Sequence, residues 1–215
     1  MSLFVVVEGP GDQEAVPVLI AKLAQADGVA ALPRIPRGGV GIDQLNLDKT
    51  NGRTRVQKRC EGYRARGGVT ALLITQDSDD ACPRDLAPEV AGWVKPLGLP
   101  FPVAVVLFYR EYETLFLAAS ETLQGRMLRG AVERAGLPTG AIYAGDPEAL
   151  RGAKGWIGGK LGRRYLETID QAAFTRTLDL ADEGLCRLSS FRRLRAALKF
   201  LGEHAGSNRR GIVYP

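Results

Sequence analysis

Short apolar runs alternate along this chain with longer stretches whose apolar positions recur every three or four residues. LFVVV (3–7), TALLIT (70–75) and PVAVVLFY (102–109) are unbroken and rich in β-branched residues, as in strands buried on both faces. VAALPRI (29–35) reads as a further strand. Pro33 confines it to an edge or an end, because proline has no amide to give a central ladder. The spacing of Leu19, Ile20, Leu23 and Ala24 predicts a helix over 12–26, in which Pro17 is tolerated only within the first turn. Further helices are predicted over 53–66, closed by Gly67 and Gly68, over 86–96, and over 112–130 from the spacing of Leu115, Phe116, Ala119 and Leu123. Two more are predicted over 171–183 and 189–203. Residues 37–41 read as a loop, 138–165 are rich in glycine and turn signals, and 204–215 read as a loose tail.

Strands alternating with helices predict an α/β fold: a Rossmann-like, mostly parallel sheet flanked by helices, with a helical C-terminal extension. The boundaries follow the pattern: a core over 1–137, a basic and mainly helical extension packed on it over 138–203, and a tail over 204–215. No apolar run approaches the roughly 20 residues needed to span a bilayer. MSLFVVVEGP has no basic leader and soon meets Glu8, so it reads as a first strand rather than a signal peptide, and the expected compartment is the cytoplasm.

Three of the apolar strands run into acids. The first is followed by Glu8, the third by Asp77, Asp79 and Asp80, and the fourth by Glu111 and Glu113. In open α/β sheets ligands bind beyond the carboxyl ends of the strands, so these acids converge if the strands are neighbours. Carboxylates held together repel, and a cation relieves the repulsion. An all-oxygen donor set suits Mg²⁺ or Mn²⁺ rather than zinc or copper. Where the chain is still extended, Asp77 and Asp79 face one side while Asp80 points elsewhere. Simpler roles stand beside each reading. A solvated turn accommodates the aspartates, Asp12 suits a helix cap, and Glu111 or Glu113 suits pairing with Arg110 or a basic helix. A lysine or arginine already filling that corner would remove the need for an ion.

Other chemistries find little support. Cys60, Cys82 and Cys186 are scattered and lack metal-binding spacing, and His204 is the single histidine. EGPGDQE lacks the dinucleotide GxGxxG frame. GAKGWIGGKL fails as a phosphate loop, because Leu161 stands where Ser or Thr would hold magnesium.

The net charge of +5 is uneven: residues 151–215 carry 13 Lys/Arg against 6 Asp/Glu. Residues 49–66 add seven basic residues and one acid. That layout favours a polyanion, most simply nucleic acid, held by Arg53, Arg55, Lys58, Arg59, Lys160, Arg163 and Arg164. Solvated helix faces are the plain alternative for either patch.

VVVEGPGD followed by a helix, and then LLITQDSD, resembles the Toprim domain of topoisomerases, primases and overcoming-lysogenization-defect nucleases. REYETLFLAASETL, RGAKGWI, TIDQAAFTRTLDL and SSFRRL narrow the likeness to a Toprim-like bacterial family, domain of unknown function four-two-seven-six, over about residues 3–201. The resemblance implies that Glu8 is the Toprim glutamate and that Asp77 and Asp79 form the DxD. It places Asp12 at a second acid, Glu111 and Glu113 at an acidic strand end, and Lys154 at a lysine that assists at the phosphate. Asp12 is shorter than the usual glutamate, and Gln76 stands where relatives also carry an acid. The implied activity is Mg²⁺- or Mn²⁺-dependent hydrolysis of DNA or RNA, in a defence or repair system with an ATPase partner. Glu8, Asp77, Asp79 and Lys154 would be catalytic. Glu8, Asp12, Asp77, Asp79, Glu111 and Glu113 would be the metal set. The alternative is a non-catalytic adaptor of the same shape that binds nucleic acid or the ATPase. A homodimer is the commonest assembly for such a chain.

Overall fold

The computed structural model describes residues 1–34, 51–130, 134–207 and 210–214. The chain opens with β1 (Ser2–Val6), α1 (Pro10–Ala26), β2 (Leu32–Arg34), α2 (Gly52–Arg66), β3 (Ala71–Asp77), α3 (Pro83–Val94) and β4 (Val103–Phe108). It continues through two short helices, α4 (Thr114–Ala118) and α5 (Ser120–Leu123), and a small hairpin, β5 (Met127–Leu128) with β6 (Arg134–Ala135). Then come α6 (Ala153–Leu161), a π-helical turn at Glu167–Gln171, α7 (Ala172–Thr177), α8 (Glu183–Arg187), α9 (Ser189–His204) and β7 (Val213–Tyr214).

The main sheet has the order β2-β1-β3-β4-β7, and every pairing in it is parallel. Register places Val6 opposite Ile74 and Asp77 opposite Phe108, so β1, β3 and β4 end at one edge. Alternation along the strands divides the core in two. Leu3, Val5, Leu73, Ala104 and Val106 pack with Leu19, Leu23, Phe174, Leu194 and Leu198. Phe4, Val6, Leu72, Ile74 and Val105 pack on the other face with Val56, Cys60, Val90 and Val94. Helices therefore cover both faces, as the unbroken apolar runs require. No helix among the described residues is long and apolar enough to cross a membrane.

Several expectations change. β2 is an edge strand, as Pro33 demands, and the loop predicted at 37–41 lies outside the described residues. α1 begins at Pro10, which leaves Pro17 in its interior instead of its first turn. Pro17 cannot donate a backbone hydrogen bond, yet the buried Val16, Leu19, Ile20 and Leu23 anchor the helix on either side of it. The helix predicted over 112–130 breaks at Ala119 and ends at Leu123, and Gly125 then takes a left-handed φ of 68°. The glycine-rich 138–165 stretch holds α6, whose N-cap Gly152 and C-cap Gly162 are both left-handed. The tail is not loose throughout: Val213 and Tyr214 extend the sheet beside Val103 and Ala104.

Candidate metal centre

The ends of β1 and β3 are joined through a carboxylate. Glu8 Oε2 accepts a hydrogen bond from the Asp77 amide at 3.2 Å. Asp77 continues the α1-side face of β3, and its Oδ1 accepts from the Tyr112 amide at 2.8 Å, on the chain leaving β4. Ladder bonds persist past both strand ends, from Ser78 N to Phe108 O at 2.9 Å and from Asp79 N to Arg110 O at 3.0 Å. Asp79 and Arg110 are the described non-glycine residues at positive φ, 49° and 62°. Paired left-handed residues at a strand edge mark a locally strained backbone, which structures keep where function needs it. Asp79 thus reaches the cleft through a turn, not as the next-but-one residue of a strand. Asp77, Asp79, Asp80, Glu111, Arg110, Arg151 and Lys154 line an open cleft of about 650 Å³. Asp80, expected to point elsewhere, sits on this rim paired with Arg110 and Arg151.

The remaining acids are braced individually. Asp12 accepts from the Gly9 amide at 3.1 Å and from Gln171 Nε2 at 2.7 Å, so it does cap α1. Gln171 reaches it across Gly11, where a Cβ would collide with Gln171 and come within 3.1 Å of Glu167 O. Glu111 Oε1 accepts from the Ala153 amide at the start of α6, which swings Lys154 over the cleft. Lys154 Nζ lies 2.9 Å from Glu167 and 3.9 Å from Glu113. Glu113 is fully buried, and neither of its carboxylate oxygens has a hydrogen-bond partner. The Tyr165 hydroxyl lies beside it without reaching hydrogen-bond geometry. Beneath them, Thr175 donates to Gln171 O at 2.7 Å, so the Tyr112 hydroxyl donates to Thr175 Oγ1 at 3.0 Å.

Crowding shows in the acidities. Burial raises Asp77 well above the usual carboxylate range, and Asp12, Glu113 and Glu8 push it further. Burial likewise raises Glu8, against the Asp77 amide that favours its ionised form. Asp12 is raised by burial in spite of its two donors. Glu113 is pushed up to about 8 by burial, although Lys154 pulls the other way. Burial pulls Lys154 down, but Glu113 and Glu167 outweigh it and hold the ammonium charged. Excess negative charge in a low-dielectric pocket is the condition a divalent cation relieves.

No family model matches the chain, and no curated protein or solved structure does either.

The donors fit a hard cation: all are oxygens, and Glu113 has two buried oxygens with no partner. Yet no three acid, cysteine or histidine side chains among the described residues already form a metal-ligand group. The Lys154 ammonium stands among these acids. Its ion pairs within 4 Å among the described residues are with Glu113 and Glu167, and none is with Glu8, Asp12, Asp77 or Asp79. Tyr112, Glu167 and Gln171 complete the surroundings. Nothing local in the sequence marks them, because each acts across 35 residues or more, apart from the Glu167–Lys154 pair.

Of the basic residues expected at nucleic acid, Arg53 and Lys58 are exposed on α2. Arg55 and Arg59 are half-buried there and already have partners. Lys160 lies 5.7 Å from the Trp156 ring centre, and Arg164 is exposed. Arg163 is committed elsewhere. It grips the buried Asp170 through two hydrogen bonds of 2.6 and 2.9 Å.

Proposed function

We propose that the cleft is the active site of a divalent-cation-dependent phosphodiesterase acting on nucleic acid. The observation that carries this reading is the Glu8–Asp77 contact beside Asp79 and Lys154. It ties together the two neighbouring strand ends at which a shared ion would sit, with Asp79 and Lys154 lining the adjoining cleft. Glu8, Asp77 and Asp79 would hold Mg²⁺ or Mn²⁺, with Glu113 available behind them. Bound there, the ion would polarise the phosphate and acidify a water.

The chain's own contributions follow from its contacts. The Asp77 amide and Tyr112 amide fix the carboxylates of Glu8 and Asp77 in place. Glu8, whose proton affinity burial raises, would serve either as a ligand or as the base that accepts a proton from an attacking water. The Lys154 ammonium, anchored by Glu167, would neutralise charge building on a phosphate oxygen. Arg110 and Arg151 flank the cleft mouth and would meet the flanking backbone.

A second reading has its own observation. Lys154 already neutralises part of the cluster through Glu113 and Glu167, as a metal-free structural site would need. Such a protein would bind nucleic acid or an ATPase partner without cutting. Purified protein incubated with plasmid and single-stranded substrates in Mg²⁺ or Mn²⁺ separates the two. Cleavage that disappears in Asp77→Asn and Glu8→Gln supports the enzyme. Equal cutting by both variants would point to a contaminating nuclease, and binding that never leads to cutting supports the adaptor.

A further inference from the structure

On the far side of α1 from the acidic cleft, four basic side chains surround a cavity of about 560 Å³. They are Lys22, Arg126, Arg129 and Arg176, and Asp179 is the one acid lining it. Residues on and beside β5 and the end of α7 form its walls. The three arginines are exposed, and none makes an ion pair or side-chain hydrogen bond among the described residues. Lys22 plays a different part. Its ammonium caps the end of α7, donating to the carbonyls of Thr175, Arg176 and Leu178 at 3.2, 2.9 and 2.6 Å. That brace holds Arg176 on the rim opposite Arg129, whose own amide donates to Thr177 Oγ1 at 3.2 Å. Three exposed arginines are thus gathered on a fixed frame, with Asp179 the one acid lining the cavity among the described residues, and guanidinium forks match phosphate oxygens in shape and charge.

We propose that this cleft binds the phosphodiester backbone of a nucleic acid strand, at a site separate from the acidic cleft. Its position suits that ligand. Lys22 lies ten residues along α1 from Asp12, a separation of about 15 Å at 1.5 Å per residue. That is roughly four base-pair steps of duplex at 3.4 Å each, a distance within the length of one bound strand. Backbone contacts by unpaired arginines carry no base preference and are strongly salt-dependent.

The test measures binding of labelled single-stranded and duplex oligonucleotides by anisotropy in excess chelator, where metal-dependent cutting does not intervene. The outcome is therefore independent of whether the acidic cleft is catalytic. In the triple variant Arg126→Gln, Arg129→Gln, Arg176→Gln, affinity should fall at least about tenfold at moderate salt. The slope of log K against log salt should flatten by about 2–3, at 0.7–0.9 per lost phosphate contact. Lys22 is kept because it is structural, and circular dichroism checks the fold. A control pair, Arg187→Gln with Arg192→Gln, should change both quantities little. Unchanged slope in the triple variant would overturn the proposal, as would equal losses in the control or wild-type protein that binds neither oligonucleotide. Competition by inorganic phosphate that the triple variant matches would also count against it.

Discussion

Glu113 offers the sharpest test of the electrostatics. Its carboxyl is buried without a hydrogen-bond partner and is pushed from 4.5 to about 8 by burial. A carboxyl raised on folding gives stability that is fully present below its unfolded value and is lost as pH rises through its folded value. The window here runs from about pH 4.5 to about pH 8. At about 1.4 kcal/mol per pH unit, the group removes roughly 3 kcal/mol between pH 6 and pH 8, and at most about 5 kcal/mol over the whole window. Glu113→Gln keeps the shape and abolishes the titration. In excess chelator, chemical denaturation at half-unit pH steps should show the two proteins converging at low pH. The variant should be the more stable by at least about 2 kcal/mol at pH 8.5. The other acids of the cluster remain in both proteins, so the difference reports Glu113 together with its coupling to Asp77 and Lys154. Parallel pH curves for wild type and variant would refute the reasoning, and so would a variant less stable at pH 8.5.

Gly11→Ala should destabilise by about 1–3 kcal/mol, because the added methyl meets Gln171 and Glu167; thermal melts read the loss, and cleavage should fall with it. Arg163→Met should cost about 3–5 kcal/mol by stranding the buried Asp170 charge, and Asp170→Asn in the same background should recover much of it in urea titrations. Lys154→Met should abolish cleavage while leaving oligonucleotide binding in chelator nearly unchanged, since Lys154 lies in the acidic cleft and not in the basic one. Mg²⁺ at about a hundred times its dissociation constant should stabilise the wild type by about 2.7 kcal/mol, and Asp77→Asn should lose most of that gain.

The sheet was legible in the sequence because its strands are short, unbroken and apolar, and because each central one runs into acids at the same edge. LFVVV, TALLIT and PVAVVLFY fall within a residue or two of β1, β3 and β4. The regions that misled are those where tertiary contacts outweigh local pattern. Helical spacing from Leu115 to Leu123 is real, but the chain turns at Gly125 to build a hairpin. α6 is short and glycine-rich, and the Glu111 carboxylate on its first amides helps to hold it. In the site, Glu8, Asp77 and Asp79 stood out because acids after buried strands are costly, whereas Lys154 was implied by the family resemblance alone. Gln171 and Tyr112 were not legible: they act through long-range hydrogen bonds that leave no trace in spacing. The commitment of Arg163 to Asp170 was equally invisible in a count of charges, while the cap that Asp12 forms was foreseen and only its Gln171 partner was not.

The central claim is that Glu8, Asp77 and Asp79 share a divalent cation at the carboxyl edge of the sheet. A crystal soaked in Mn²⁺ and measured at a wavelength where manganese scatters anomalously tests it directly. The account predicts a single strong peak in ligand contact with Asp77 and with at least one of Glu8 and Asp79. Contradiction would be a map with no peak at that edge, in which Lys154 still bridges Glu113 and Glu167 beside vacant carboxylates.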